Sequence, residues 1–201
     1  MITPEIRLHL AQDAQLKPVL ESVELIQWGS GTDVYCDLLE SIVSQQLSVK
    51  AAATIHGRFV QLFDDGFPHP EKLLAMDLGT LRSVGLSQQK ANYMLNVANF
   101  FVEQQLHGVG WSAMTDLEII QRLTQIKGVG RWTVEMILMF TLHRPDILPV
   151  DDLGIQNAMK RLYRLETTGK ALRQQMTELA EPWRPYRTYA CRYLWKWKDE
   201  L

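Results

Sequence analysis

Apolar positions along the chain recur at helical spacing, and no segment sustains an apolar–polar alternation. In "DVYCDLLESIVSQQLSVKAAATIHGRFVQLF", Leu38, Leu39, Ile42 and Val43 form one stripe, and Ala51, Ala52, Ile55, Phe59 and Leu62 a second. The polar run Ser44 to Ser48 separates them and predicts a break between two helices. "FDDGFPHPEKLLAM", punctuated by Gly66, Pro68 and Pro70, predicts a loop. "DLGTLRSVGLSQQKANYMLNVANFFVEQQ" reads as a short helix, a Gly-centred turn and a long amphipathic helix. "TDLEIIQRLTQIKGVGRWTVEMILMFTLH" repeats that plan around a Gly-x-Gly turn. "DDLGIQNAMKRLYRL" predicts one more helix, and the C-terminal segment two, broken at Pro182 and Pro185. The pattern predicts an all-α protein of roughly eight to eleven helices at ordinary helix lengths.

Composition narrows this picture modestly. A chain of 201 residues that is 46% hydrophobic and 22% charged can bury a proper core. Its two cysteines, Cys36 and Cys191, are too few for a disulfide scaffold, a cysteine-rich zinc site or an iron–sulfur cluster. Both are expected to be buried free thiols. The N-terminus carries charge early and lacks the apolar stretch of a secretory signal. No run of eighteen apolar residues exists to span a membrane. These features predict an intracellular, cytoplasmic protein.

The net charge of −2 hides an asymmetry. Residues 1–100 carry seven Lys/Arg and eleven Asp/Glu, whereas residues 120–198 carry fourteen and seven. A basic half on a neutral chain suits a polyanionic partner, although surface helices also vary this much.

Two short motifs could carry chemistry. In "LTQIKGVGRWTVEMI" a helix is predicted to end at Lys127, with Gly128-Val129-Gly130 as a tight turn and a new helix from Arg131. Such a turn exposes successive backbone N–H groups and suits an anion, phosphate above all. A plain helix–helix corner would use the same glycines. In "ILPVDDLGIQ", Asp151 and Asp152 stand side by side before a helix, where either could be a cap.

The order of these motifs resembles the helix-hairpin-helix (HhH-GPD) DNA glycosylase superfamily. "GVGRWTVEMILMFTLHRPDILPVDDLG" is similar to the family's hairpin, second helix, Pro-containing loop and aspartate. "SIVSQQLSVKAAATI" resembles its N-terminal helix–loop–helix. "PWRPYRTYACRYLW" resembles the closing helix of the AlkA branch, the bacterial 3-methyladenine DNA glycosylase II enzymes. The likeness covers about residues 35 to 198.

That resemblance implies a two-lobed helical fold with a DNA-binding cleft between the subdomains. It divides the single unit 1–201 into residues 35–115, a hairpin and catalytic-Asp region at 116–165, and a second subdomain from 1–34 and 166–201. It implies a monomer acting on double-stranded DNA that contains alkylated bases. The family's catalytic carboxylate falls on Asp151 and leaves Asp152 as a first-turn or capping residue. Where strand-cutting members carry a Schiff-base lysine, this chain has Trp132, and neither Lys127 nor Lys160 matches that position. A monofunctional enzyme using water is implied.

The same resemblance makes Trp132 and Trp195 pocket residues, whose faces would attract a cationic alkylated purine by ~0.5–2 kcal/mol. Six tryptophans in the chain also mean that several serve packing. Met136 stands where AlkA has an aromatic residue. The residue that fills the gap left by an extruded base falls on Gln46, with Gln45 and Leu47 beside it. DNA contacts fall on Lys127, Gly128, Val129, Gly130, Arg131 and Thr133. A monovalent cation could be held by the carbonyls of Thr124, Ile126 and Val129. No iron–sulfur cluster or other cofactor is implied, and the form is compact, without AlkA's N-terminal β-subdomain. A glycosylase for a neutral deaminated or oxidised base, and a non-catalytic DNA-binding module, remain alternatives.

Overall fold

The computed structural model describes residues 2–25 and 33–200. These residues contain twelve α-helices, three short helical turns and no strand. The helices are α1 (Pro4–Leu10), α2 (Leu16–Ser22), α3 (Val34–Ser44), α4 (Val49–Val60), α5 (Pro70–Leu74), α6 (Leu78–Ser83) and α7 (Gln88–Glu103). They continue with α8 (Asp116–Leu123), α9 (Arg131–Met136), α10 (Leu153–Tyr163), α11 (Gly169–Leu179) and α12 (Arg187–Asp199). The all-α expectation is met, with slightly more elements than the periodicity suggested.

Local signals explain most boundaries. Side-chain oxygens of Asp33, Ser48, Asp77, Ser87 and Thr115 each accept a backbone N–H in the first turn of the following helix. Each such cap contributes about 1 kcal/mol. At α8 the cap is reciprocal: Glu118 accepts the Thr115 N–H at 2.7 Å while Thr115 Oγ1 accepts from Glu118 N.

Several expectations need correction. The predicted loop at 63–76 contains α5, which starts on Pro70 and buries Leu73. Proline suits a first helical position, so it begins a helix here instead of preventing one. The fourth helix ends at Val60, so Leu62 is only half-buried and Phe63 takes the core position. The helix before the hairpin ends at Leu123, not Lys127. Cys36 is half-buried, whereas Cys191 is buried. The helix after the hairpin widens into a π-turn over Ile137–Thr141, a local change that apolar spacing does not encode.

The chain forms two compact units, residues 32–137 and residues 1–31 with 138–201. The hairpin therefore lies in one unit and Asp151 in the other, and the segment 116–165 is divided between them. Of the N-terminal segment 1–34, residues 26–32 lie outside the described residues.

In the 32–137 unit, α7 packs against α3 and α5. Met94, Val97, Ala98 and Phe101 of α7 are buried, as are Leu38, Leu39 and Ile42 of α3 and Leu73 of α5. Full burial stabilises by about 1.5–3 kcal/mol for each large side chain. In the other unit α12 packs against α10 and α2. Asp13 ties that unit together, accepting from Tyr163 Oη at 2.5 Å and Trp183 Nε1 at 2.9 Å.

Candidate functional site

The loop Gln45–Ser48 joins α3 to α4. Gln46 adopts a left-handed backbone conformation (φ 59°), and Gln46 and Leu47 are exposed. A glutamine in that region is uncommon and has to be held there by its surroundings. One restraint is local, the Leu47 N–H to the Ser44 carbonyl at 3.2 Å. Another comes from α7. Lys90 Nζ donates to the Val43 and Gln45 carbonyls, both at 2.7 Å. Burial holds the Lys90 amine below its usual range.

The hairpin stands in the same unit. After α8 the backbone tightens through Ile126 N to Leu123 O and Val129 N to Ile126 O. Gly128 turns the chain at φ +106°, directly over the Tyr93 ring of α7. A Cβ at Gly128 would lie 2.3 Å from Tyr93 Cγ, so only glycine fits both the turn and this approach. Asn96 Nδ2 donates to the Lys127 carbonyl at 3.1 Å and holds the turn from below. Gly130 is the N-cap of α9. A groove of about 770 Å³ runs beside the turn, lined by Gln88, Gln89, Asn92, Tyr93 and Lys127 among others.

Within this group the expected contact residues divide by exposure. Lys127, Gly130, Arg131 and Trp132 are exposed, Gly128 is half-buried, and Trp132 shows 44% of its surface. Arg131 Nε donates to buried Glu135 at 2.8 Å. Thr133 is only 4% and Val129 5% exposed. Their side chains serve the core. Met136 is half-buried. The Ile126 carbonyl, expected as a cation ligand, already accepts the Val129 N–H. Among the described residues no cluster of His, Cys, Asp and Glu is arranged for a metal ion.

The paired aspartates stand in the other unit, at the end of a loop sewn to the start of α12. Thr188 Oγ1 accepts the Ile147 N–H at 2.9 Å and donates to the Arg144 carbonyl at 2.7 Å. Asp146 receives Arg187 Nε and Arg184 Nη1, both at 2.6 Å. The peptide Arg184–Pro185 between these arginines' helical turns is cis. The loop then tightens, with Val150 N to Leu148 O at 3.0 Å, while Gln156 Nε2 donates to the Val150 carbonyl at 2.8 Å.

Asp151 and Asp152 differ in their surroundings. Asp152 is the N-cap of α10 and accepts from Ile155 N at 2.8 Å. The same oxygen accepts Trp195 Nε1 from α12, also at 2.8 Å. Gly154 allows this, because a Cβ there would sit 3.0 Å from both Asp152 Oδ1 and the indole. Asp151 precedes the cap and is exposed, and Arg173 Nη1 of α11 lies 3.3 Å from its Oδ1. Trp195 is half-buried and tilts against Phe140 at 5.8 Å between ring centroids. Leu25, Phe140, Arg192, Trp195 and Lys196 line a cavity of about 440 Å³.

Sequence reading missed Lys90, Tyr93 and Arg173, and it underrated Asp152. Nothing in the local sequence signals these contacts.

Comparison with known proteins decides the family. Residues 39–185 match the HhH-GPD superfamily of base excision DNA repair proteins. The chain belongs to this HhH-GPD superfamily. It is 38% identical over 164 residues to DNA-3-methyladenine glycosylase 1 of Schizosaccharomyces pombe, covering 81% of this chain and 71% of that one. It is 36% identical over 169 residues to YfjP of Bacillus subtilis, covering 81% of this chain but only 58% of that protein. The solved 3-methyladenine DNA glycosylase Mag1 of S. pombe, in complex with abasic DNA, superposes with a TM-score of 0.80 at 33% identity. That likeness covers 96% of this HhH-GPD chain and 95% of Mag1.

Proposed function

We propose that this protein is a monofunctional alkylpurine DNA glycosylase that hydrolyses the N-glycosidic bond of a flipped base and leaves an abasic site. One observation carries the assignment of roles. Of two adjacent carboxylates, Asp152 has an oxygen committed to its cap and to Trp195, while Asp151 is exposed beside it, with Arg173 3.3 Å from its Oδ1. A carboxylate that is held in place yet reachable is what a developing sugar cation requires.

In this reading the hairpin at Lys127–Arg131 grips the phosphate backbone, which sets position and carries no sequence readout. Gln46 enters the gap left by the extruded base. Loss of the base builds positive charge on the deoxyribose, and the Asp151 carboxylate stabilises it. Water adds its oxygen to C1′, and Asp151 takes or directs its proton. The alkylated base leaves neutral because it entered as a cation. No amine stands at Trp132, so no Schiff base forms there. The exposed Trp132 face favours a cationic base over a neutral one. By position, the carbonyls of Thr124, Ile126 and Val129 would hold a monovalent cation in the hairpin, with Ile126 keeping its second lone pair for it.

The relatives named DNA-3-methyladenine glycosylase support this substrate class. The test is base-release profiling from methylated duplex DNA, with Asp151→Asn as control. Release of 3-methyladenine or 7-methylguanine by the wild type, abolished in Asp151→Asn with DNA binding kept, is expected. Release of deaminated bases alone would overturn the alkylpurine assignment. Binding without release of any base would leave a DNA-binding module.

A further inference from the structure

Lys90 occupies the third position of α7, behind the Ser87 cap. A cation is poorly placed there, because the helix N-terminus carries partial positive charge. Its amine is also partly withdrawn from water. Neither helix stability nor solvation explains a lysine at this site. What it does instead is cross to the end of α3, bonding the carbonyls of Val43 and Gln45 at 2.7 Å each. Those carbonyls belong to the last turn of α3 and to the residue just before Gln46, which holds the left-handed φ of 59°. Basic side chains commonly satisfy terminal helix carbonyls, but this one is 45 residues away from the loop it ties.

The same helix supports the hairpin. One turn beyond Lys90, Tyr93 lies under Gly128, and Asn96 holds the Lys127 carbonyl. Helix α7 thereby fixes the plug loop and the hairpin to one rigid element.

We propose that Lys90 is a positioning residue for base extrusion: its ammonium, bridging the Val43 and Gln45 carbonyls, presents Gln46 to the duplex. The proposal rests on the reading of Gln46 as the residue that fills the vacated gap. Without the bridge, Gln46 relaxes from the left-handed region, and the loop loses its shape while the hairpin grip on phosphate remains.

The test is a double-mutant cycle with two readouts. The first is single-turnover release of methylated purine. The second is the fluorescence change of 2-aminopurine placed opposite an abasic-site analogue, which reports plug insertion without chemistry. Lys90→Met is expected to slow release by up to roughly a hundredfold, the scale of a group misplaced by about an ångström. It should diminish the fluorescence change while affinity for the abasic analogue stays within about twofold, because phosphate contacts dominate affinity. Gln46→Ala should act likewise, and the double variant should be no slower than Gln46→Ala alone. Effects that multiply, or a Lys90→Met enzyme equal to wild type, overturn the proposal. Should Lys90→Met lose its fold by thermal melting, Lys90→Gln takes its place in the cycle, its amide removing the charge and falling one bond short of the ammonium's position. An absent or multiplying effect of Lys90→Gln overturns the proposal equally. Wild-type protein that changes the fluorescence but releases no base sinks the glycosylase reading and leaves the fluorescence cycle to decide on Lys90.

Discussion

The indole N–H of Trp195 and the backbone N–H of Ile155 converge on one oxygen of Asp152, each at 2.8 Å. This bond ties the start of α10 to α12 across 43 residues of sequence. It also means that the carboxylate beside Asp151 is anchored from two helices, so Asp151 inherits a fixed backbone.

Asp152→Ala is therefore expected to lose both a helix cap and an anchored tryptophan, costing about 2–3 kcal/mol in place of the ~1 kcal/mol of a cap alone. Chemical denaturation measures this. Trp195→Phe, which keeps an aromatic ring but removes the donor together with part of the indole, should cost at least roughly 1 kcal/mol. In the double variant the two losses should overlap, since they share one interaction. A Trp195→Phe protein as stable as wild type would show that the bond contributes nothing.

Gly128→Ala should be among the most damaging single substitutions in the hairpin. The φ of +106° strains any residue with a Cβ, and that Cβ would collide with the Tyr93 ring. A loss of at least about 1–3 kcal/mol is expected from the backbone alone. Gly130→Ala is the control, because its φ is −91° and nothing lies within 4 Å of an added Cβ. Melting temperatures of the two variants should differ by several degrees in that order.

Asp13 gives the stability of its unit a pH dependence. Burial raises its pKa, but hydrogen bonds from Tyr163, Trp183 and the Leu16 and Gln15 backbone outweigh this and hold it below the ordinary 3.8. A carboxyl with a depressed folded-state pKa contributes stability above the unfolded value and loses it as pH falls through the folded one. Asp13→Asn should be less stable than wild type at pH 7. The gap should close as pH falls below 3.8, measured by urea titrations at each pH. A gap independent of pH would assign the effect to packing and not to charge.

The sequence by itself determined what is local. Helical period placed the stripe of Leu38, Leu39, Ile42 and Val43, all fully buried. Glycine spacing marked the hairpin, because a turn at positive φ leaves a chemical signature in the residue used. Motif order pointed to the HhH-GPD family and to Asp151 as its candidate carboxylate. The pairing of distant residues was invisible. A lysine that bridges two carbonyls 45 and 47 residues away reads, in sequence, like any helix-surface lysine. Asp152 read as a simple cap because its second donor, Trp195, arrives from another helix. Arg173 beside Asp151 leaves no local trace either. Periodicity and turn chemistry act over three or four residues, so they are written in the chain. Which polar groups meet after helices pack depends on where the whole core puts their backbones, and only the tertiary structure decides that.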